Sequence, residues 1–179
     1  MSLGIQHKYI VASATDTVTN TTTETAFAKT VSLPAQSLRA GDFIQGFGCV
    51  KATSTNSTDT LTVKVYVGPS ADPKTGILVC DQTAIDVADN DVIGFDFKLC
   101  VDAIGAGSTF KVSGVGLSWK HGATAVSKTL AIAGATDAQA SSFADLVVAV
   151  TATWSAASAS DIARLDALHA AAFPALPSV

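Results

Sequence analysis

Three histidines give this chain its widest chemical options, because an imidazole can transfer protons or bind a metal near neutral pH. They are His7, His121 and His169, and they lie far apart in the sequence. None stands at the short spacing from a second histidine or a cysteine that zinc sites use. We therefore interpret each histidine as an isolated surface or core residue.

Asp89 and Asp91 are the next candidates, because paired carboxylates bind hard cations. They belong to the segment Asp86-Val-Ala-Asp-Asn-Asp91. Asp and Asn side chains in such segments also accept hydrogen bonds from nearby backbone N–H groups and so stabilise turns. Of these two interpretations we favour the turn.

The three cysteines, Cys49, Cys80 and Cys100, are odd in number and widely spaced, and no Cys-x-x-Cys pair occurs. A disulfide framework or a zinc site needs paired cysteines at characteristic spacings. We predict that these cysteines are small buried or half-buried apolar side chains within strands.

Two glycine-rich pairs, Gly105-Ala-Gly107 and Gly114-Val-Gly116, lack the third glycine and the following helix of a dinucleotide-binding loop. The serine-rich runs contain no Gly-x-Ser-x-Gly nucleophile elbow. The sequence thus predicts no catalytic, cofactor-binding or metal-binding residue, and hence a protein that is not an enzyme and needs no cofactor.

Two further patterns concern carbohydrate. Asn20-Thr-Thr22 and Asn56-Ser-Thr58 match the glycosylation acceptor, but the first residues contain no secretory signal, so we interpret both as loop residues. Trp119 and Trp154 could form a platform that stacks on sugar rings. A tryptophan at a strand end is more often a core or interface residue, and we favour that interpretation.

Composition limits the classes of protein that remain. Of 179 residues, 48% are hydrophobic and 15% are charged, which is typical of a folded domain with a substantial core. The net charge of −4 and the lack of a basic cluster argue against nucleic-acid binding. No apolar stretch approaches the ~20 residues of a membrane span. We expect synthesis and retention in a cytoplasm, at least until assembly.

The polar residues favour strands joined by turns. There are fourteen aspartates but a single glutamate, Glu24, and threonine is abundant. Glutamate is typical of helices, aspartate of turns, and threonine of strands.

Alternation of apolar and polar residues predicts the strands. It is clearest in Asp59 to Val67 and in Val92 to Val101. Asp145 to Trp154 is apolar on both parities, as in a central strand covered on both faces. The residues expected to face the core from the two alternating strands are Leu61, Val63, Val65, Val67, Ile93, Phe95, Phe97, Leu99 and Val101.

Phe110 to Trp119 changes parity, from Phe110 and Val112 to Val115, Leu117 and Trp119. A bulge at Ser113-Gly114 would turn both groups inward. Weaker strands are predicted at 8–12, 25–33, 43–53 and 77–82, and the Thr-rich segment 13–25 is predicted to be an exposed strand or an arm. The succession of strands and turns predicts an all-β fold, a single antiparallel β-sandwich, jelly-roll-like, with about eight strands.

The segment from Ser160 to Phe173 allows two interpretations. Its alanines and leucines favour a helix, which Ser160 or Asp161 could cap. Its position after the small-residue loop from Ser155 favours a strand that pairs back on Leu146–Trp154. We predict the strand. The tail from Pro174 to Val179 is expected to be extended and to reach a neighbouring subunit.

Two groups of motifs carry a family resemblance. The first comprises Thr19-Asn-Thr-Thr-Thr-Glu-Thr25, Val31-Ser-Leu-Pro-Ala35 and Leu38-Arg-Ala-Gly-Asp-Phe-Ile44. The second is Val150-Thr-Ala-Thr-Trp-Ser-Ala-Ala-Ser-Ala-Ser-Asp-Ile-Ala-Arg-Leu-Asp-Ala-Leu168. They resemble the opening strands and the closing hairpin of tailed-phage minor structural, decoration and tail-associated proteins. After Leu168 the chain departs from that pattern, because alanines replace an amphipathic strand end.

The resemblance implies a jelly-roll-like sandwich that assembles, often as a homotrimer, on a virion. We expect residues 1–24 to form an N-terminal arm or edge strand, 25–173 the sandwich domain and 174–179 a C-terminal tail. The expected partners are other copies of the chain and virion proteins such as major capsid or tail proteins, with no nucleic acid and no membrane. Assembly would take place in the host cytoplasm.

Two other functions compete with this one. A carbohydrate- or receptor-binding module of a virion appendage would need an exposed aromatic patch. A jelly-roll enzyme of the cupin type would need clustered histidine and glutamate ligands, which three scattered histidines and one glutamate do not supply.

Overall fold

The computed structural model describes residues 6–11, 16–33, 38–55, 58–69, 72–104, 110–121, 126–137 and 145–175. The glycine pair at 105–107, residues 13–15 of the Thr-rich segment and residues 176–179 of the tail lie outside this part.

One turn of 3-10 helix, Pro73–Thr75, precedes the strand Ile77–Asp86. The strands are β1 Gln6–Val11, β2 Thr17–Thr19, β3 Thr25–Ala26, β4 Val31–Leu33, β5 Phe43–Thr53, β6 Thr60–Pro69, β7 Ile77–Asp86, β8 Asp91–Ile104, β9 Phe110–His121, β10 Val126–Asp137, β11 Leu146–Trp154 and β12 Ile162–Phe173.

The strands form two antiparallel sheets whose inner faces enclose one core. Sheet A has the order β1–β12–β5–β8–β9–β10, with β2 also on β12, and sheet B has the order β3–β11–β6–β7, with β4 also on β11. Without β9 and β10, this is the connectivity of an eight-position jelly roll. The predicted all-β sandwich and its jelly-roll-like arrangement are confirmed, and the β9–β10 hairpin widens sheet A beyond that frame.

The alternating residues of β6 and β8 lie in the core. All nine residues predicted to face inward from these two strands are buried. Two glycines of β5, Gly46 and Gly48, make room for the largest of them, since a side chain at either position would overlap the Phe97 or Phe95 ring. The rings therefore lie directly against the β5 backbone, at the density typical of protein interiors.

Strands β11 and β12 confirm two predictions. β11 is buried on both faces, as its apolar residues on both parities indicated. Residues 162–173 form a strand, which pairs with β5 on one side and with β1 and β2 on the other. The predicted pairing of this strand with Leu146–Trp154 is wrong, because β11 lies in sheet B and β12 lies in sheet A. Partners on both sides satisfy the β12 backbone, and this outweighs the local preference of alanine and leucine for a helix.

Two elements differ from the predictions. The expected strand at 25–33 is divided into β3 and β4, which pair separately with β11. Strand β10 was not predicted. Leu130 and Ile132 face inward, but Lys128 and the alanines of this segment weaken the apolar–polar alternation that marks a strand. Its pairing with β9 is interrupted between Ile132 and Ala135, where Gly134 has a φ of 60°.

The predicted change of face within β9 is wrong. Gly116, Ser118 and Lys120 face inward, on the same parity as the buried start of the strand. The register irregularities lie instead on the neighbouring strands β8 and β10. β7 passes so close to β9 that a Cβ atom on Gly116 would overlap the Val79 carbonyl, so no side chain fits on the inner face at this position. The residues that face outward are Val115, Leu117 and Trp119.

A buried ion pair lies at the inner end of β9. Lys120 Nζ is 2.8 Å from Asp91 Oδ2, and the two side chains are only 3% and 5% exposed. Lys120 also donates to the Asp86 carbonyl, and Asp91 accepts the N–H of Ala88 at 2.8 Å. Each charge is therefore both paired and hydrogen-bonded, which is the condition for burying it.

Glu24 organises the outer face of sheet B. Its Oε1 accepts hydrogen bonds from Tyr66 Oη at 2.9 Å and Thr151 Oγ1 at 2.8 Å, and its Oε2 lies 3.3 Å from Lys64 Nζ. Burial by itself would raise the pKa of Glu24, but the hydrogen bonds from Thr151 and Tyr66 and the charge of Lys64 lower it below the ordinary value of 4.5. The network ties the segment between β2 and β3 to β6 and β11.

We predict that Glu24→Ala lowers the free energy of unfolding by about 1–3 kcal/mol, because Thr151 and Tyr66 are buried and lose their acceptor. Glu24→Gln should cost less, since it keeps one acceptor oxygen.

The lowered pKa means that the stability contributed by Glu24 is present above pH 4.5 and is lost as the pH falls through the folded-state pKa. Urea unfolding at pH 7 and pH 4 measures both effects, and Glu24→Gln should reduce the difference between them.

Thr22→Ala, at an exposed position in the same turn, is the control and should change neither value. Equal stability of Glu24→Ala and the control would contradict the role given to this network.

For the ion pair, we predict that Lys120→Met destabilises the protein by about 3–5 kcal/mol, because it leaves Asp91 charged and buried without its partner. The double variant Lys120→Met with Asp91→Asn should recover much of that loss, since the amide is neutral and keeps an acceptor for the Ala88 N–H. Chemical denaturation of the two single variants and the double variant gives the coupling free energy. Additive losses would show that the pair does not act as a unit.

Candidate functional site

The outer face of sheet A carries an exposed apolar patch. We define the patch by seven outward-facing side chains, all of which are at least one-third exposed. They lie on β5, β8, β9 and β12, and most of these strands are central to the sheet, so that their backbones are fixed on both sides. The residues of the patch are Phe43, Phe47, Val92, Val115, Leu117, Trp119 and Ile162.

Trp119 lies flat against the neighbouring strand. A side chain at Gly94, its cross-strand partner on β8, would overlap the indole ring. The glycine therefore provides the space in which the indole rests, and 38% of Trp119 remains exposed. Trp154 is buried in the core, where Nε1 donates to the Val18 carbonyl at 3.5 Å. The two tryptophans thus do not form the shared platform that was considered from the sequence.

A second aromatic cluster lies on β5 and β12. The Phe47 ring packs beside the His169 ring at a centroid distance of 4.9 Å and an interplanar angle of 33°. Phe43 and Phe173 are directly paired residues on the same two strands. Together with Lys98 of β8 they line an open depression of about 330 Å³. Aromatic side chains with partly exposed rings are typical of the centres of protein interfaces.

Charges divide the face without making it strongly charged. Asp96 and Lys98 of β8 stand between the aromatic residues of β5 and the apolar residues of β9. At one end, Lys51 and Arg164 line a shallow polar groove of about 370 Å³, together with threonines of β2 and β5. Arg164 is paired with Asp166 at 2.5 Å, so the groove is not a concentrated cation cluster.

The histidines and aspartates that could support catalysis or metal binding do not form a common site. His121 is exposed at the end of β9, while His169 lies on β12, and strands β5 and β8 separate β9 from β12. Asp91 accepts the Ala88 N–H and pairs with Lys120, which is the turn arrangement that the sequence favoured over a cation site. Within the described ranges, no group of three His, Cys, Asp or Glu side chains is placed to hold a metal ion.

The cysteines lie in strands, as predicted. Cys49 of β5 and Cys100 of β8 are half-buried, Cys80 of β7 is buried, and all three thiols are free. Burial raises the pKa of Cys80 to about 12. Its thiol donates to the carbonyls of Asp96 and Leu117, at 3.4 and 3.7 Å. Cys80 is thus a protonated structural side chain at the contact of β7 with sheet A.

The sequence interpretation missed the apolar patch because it assigned Val115, Leu117 and Trp119 to the core. One signal could have found it. The residues between Val115, Leu117 and Trp119 are Gly116, Ser118 and Lys120. In a strand that buries its apolar residues, the residues between them face water and are usually longer polar side chains than glycine and serine. Glycine and serine between large apolar residues can also mark a strand whose small face meets another backbone.

Comparison with known proteins leaves the chain without an assigned family. No protein-family model matches it, and no curated protein matches it. No helix in the part of the chain described above is long and apolar enough to cross a membrane. Among solved structures, the chain is similar to peanut lectin in complex with the nine-residue peptide PVIWSSATG, at 9% sequence identity and a TM-score of 0.38, over 94% of this chain and 90% of that chain.

Proposed function

We propose that this protein is a non-enzymatic structural subunit that assembles with copies of itself, and with other proteins of a virion, through the outer face of sheet A. The observation that carries the proposal is the apolar patch. Large exposed apolar groups on one face are costly for a protein that stays alone in water, and they mark interaction surfaces.

The dimensions of the face suit a stable interface. The patch lies on four strands, and four strands at about 4.8 Å spacing with about ten residues at 3.4 Å each make a surface of roughly 650 Å². That area falls within the range of about 600–1,000 Å² for one side of a standard protein–protein interface. The aromatic residues Phe43, Phe47 and Trp119 provide anchors, and the charges Asp96 and Lys98 have opposite signs. A face that carries both signs can be complementary to another copy of itself.

The rigidity of the face supports an architectural role. Its central strands are hydrogen-bonded on both sides and packed on a filled core. A surface built on such strands changes little on binding, which favours repeated, identical contacts. We expect a homotrimer, with the subunits then attached to a capsid or tail lattice.

The sequence resemblance supports the virion context. The motifs at 19–44 and 150–168 lie on β2 to β5 and on β11 and β12, which include the strands that carry Phe43 and Phe47. On this proposal the protein is a capsid decoration or cement protein, or a subunit associated with the tail or fibre, and it is assembled in the host cytoplasm.

A second candidate function is the binding of carbohydrate or of a receptor by a virion appendage. One observation favours it, the exposed indole of Trp119 held flat over Gly94. An aromatic ring fixed in this way can stack on the apolar face of a sugar ring.

The test is the mass of the purified protein by light scattering coupled to size exclusion. We expect three times the chain mass of 18.1 kDa for the wild-type protein, and a monomer for the double variant Phe47→Lys with Leu117→Lys. Both side chains point outward, so the variant should keep the fold, which circular dichroism and thermal unfolding check. Wild-type protein should also co-sediment with particles of the phage that carries its gene.

The matched control adds the same charge elsewhere, with Thr22→Lys and Ala40→Lys at exposed turn positions, and should remain a trimer. A wild-type monomer that ignores the particles would contradict the proposal. Glycan-array binding that Trp119→Ala abolishes would then establish the second candidate.

A further inference from the structure

Two buried carboxylates meet at the end of the sandwich where the turns β5–β6 and β11–β12 lie. Asp59 immediately precedes β6 and Asp161 immediately precedes β12, and they are 4% and 0% exposed. Oδ2 of each is buried, and neither atom has a hydrogen-bond partner among the residues that the structure describes. A buried carboxylate oxygen without a compensating partner is destabilising, so this arrangement calls for one.

The remaining contacts of Asp161 place its carboxyl group beside Ser54 and Asp59. Asp161 Oδ1 accepts a hydrogen bond from Ser54 Oγ at 2.8 Å. Burial raises the pKa of Asp161, the hydrogen bond from Ser54 lowers it, and the negative charge and close approach of Asp59 raise it again. The two carboxyl groups are therefore direct neighbours, and among the described residues no ion pair includes either of them.

The backbone holds these turns together without the carboxylates. Ser155 N–H donates to the Thr60 carbonyl at 2.9 Å, and Thr60 N–H donates to Ser155 Oγ at 2.8 Å. Asp161 N–H in turn donates to the Ser158 carbonyl at 3.0 Å. The backbone segments that carry Asp59 and Asp161 are thus held by contacts that do not depend on the carboxylates.

The neighbouring surface is acidic. Ser54 also lines an open depression of about 210 Å³, whose other wall contains Asp86 and Asp89 of the β7–β8 turn. Both aspartates are exposed. Their negative charge raises the local concentration of cations beside Ser54.

We propose that Asp59, Asp161 and Ser54 form a binding site for one hard divalent cation, with Ca²⁺ as the preferred ion, that links the β5–β6 turn to the β11–β12 turn. Carboxylate and hydroxyl oxygens are ligands that such ions prefer, and two carboxylates neutralise the charge of the ion. Ca²⁺ accepts irregular oxygen shells completed by carbonyls and water, whereas Mg²⁺ requires a near-ideal octahedron. Ligands contributed by three separate chain positions therefore suit Ca²⁺ better.

The experiment is thermal unfolding of the full chain at pH 7.5 after EDTA treatment, with CaCl₂ titrated back, and calorimetric titration of Ca²⁺ in parallel. At a Ca²⁺ concentration about a hundred times the Kd, we expect Tm to rise by about 5–10 °C. Asp59→Asn and Asp161→Asn should each abolish that rise and the calorimetric signal. Both variants should fold without Ca²⁺, with a Tm equal to or above that of the metal-free wild type, because each removes the repulsion between the carboxylates.

Asp89→Asn, at the exposed neighbouring turn, is the matched control and should keep the Ca²⁺ response. A Ca²⁺ response that persists in both Asn variants would overturn the proposal, since the ion would then bind elsewhere. Absence of any Ca²⁺-dependent change in Tm would also overturn the proposal. If the Tm of the wild type then rose only as the pH was lowered, the two carboxyl groups would share a proton instead. Neither result depends on the assembly state, so the cation site and the proposed function can fail separately.

Discussion

Strand β7 of sheet B passes so close to β9 of sheet A that backbone atoms occupy the space where core side chains would otherwise lie. A side chain at Gly116 would overlap the Val79 carbonyl, and the Cys80 thiol donates to carbonyls of β8 and β9. The inner face of β9 must therefore be small or polar at this point. Because alternate residues of a strand point to opposite faces, its large apolar residues must point to the outside.

The exposed patch follows directly from this close contact. β9 presents Val115, Leu117 and Trp119 on the outer face of sheet A, where only β8 separates them from the aromatic residues of β5. Since β5, β8 and β9 each have a partner on both sides, the patch is a property of the rigid centre of the sheet and not of a loop. A jelly roll by itself does not define a function. The proposed assembly therefore depends on this patch, and not on the fold.

The same geometry determines how one end of the sandwich is closed. With Lys120 facing inward, the end of β9 meets Asp91 and the Asp86 carbonyl in place of apolar side chains. The nearby turns bring in Ser54, Asp59 and Asp161, all of which are buried. Polar groups in such a region must be satisfied by one another or by a bound ion. This end therefore depends on specific electrostatic partners, whereas the middle of the sandwich depends on packing.

The sequence alone determined the strands whose alternation is strict, because one parity of β6 and β8 has no stable environment except a core. It also identified β11 as a strand covered on both faces. Tertiary structure decided the rest. The helix-favouring residues of β12 become a strand because β5 and β1 satisfy its backbone, and β10 forms because β9 offers an edge. The patch depends on the contact of β7 with β9, and the Asp59–Asp161 pair depends on the contact of the β5–β6 turn with the β11–β12 turn. Both contacts join segments that are distant in the sequence, so local residue patterns do not predict them.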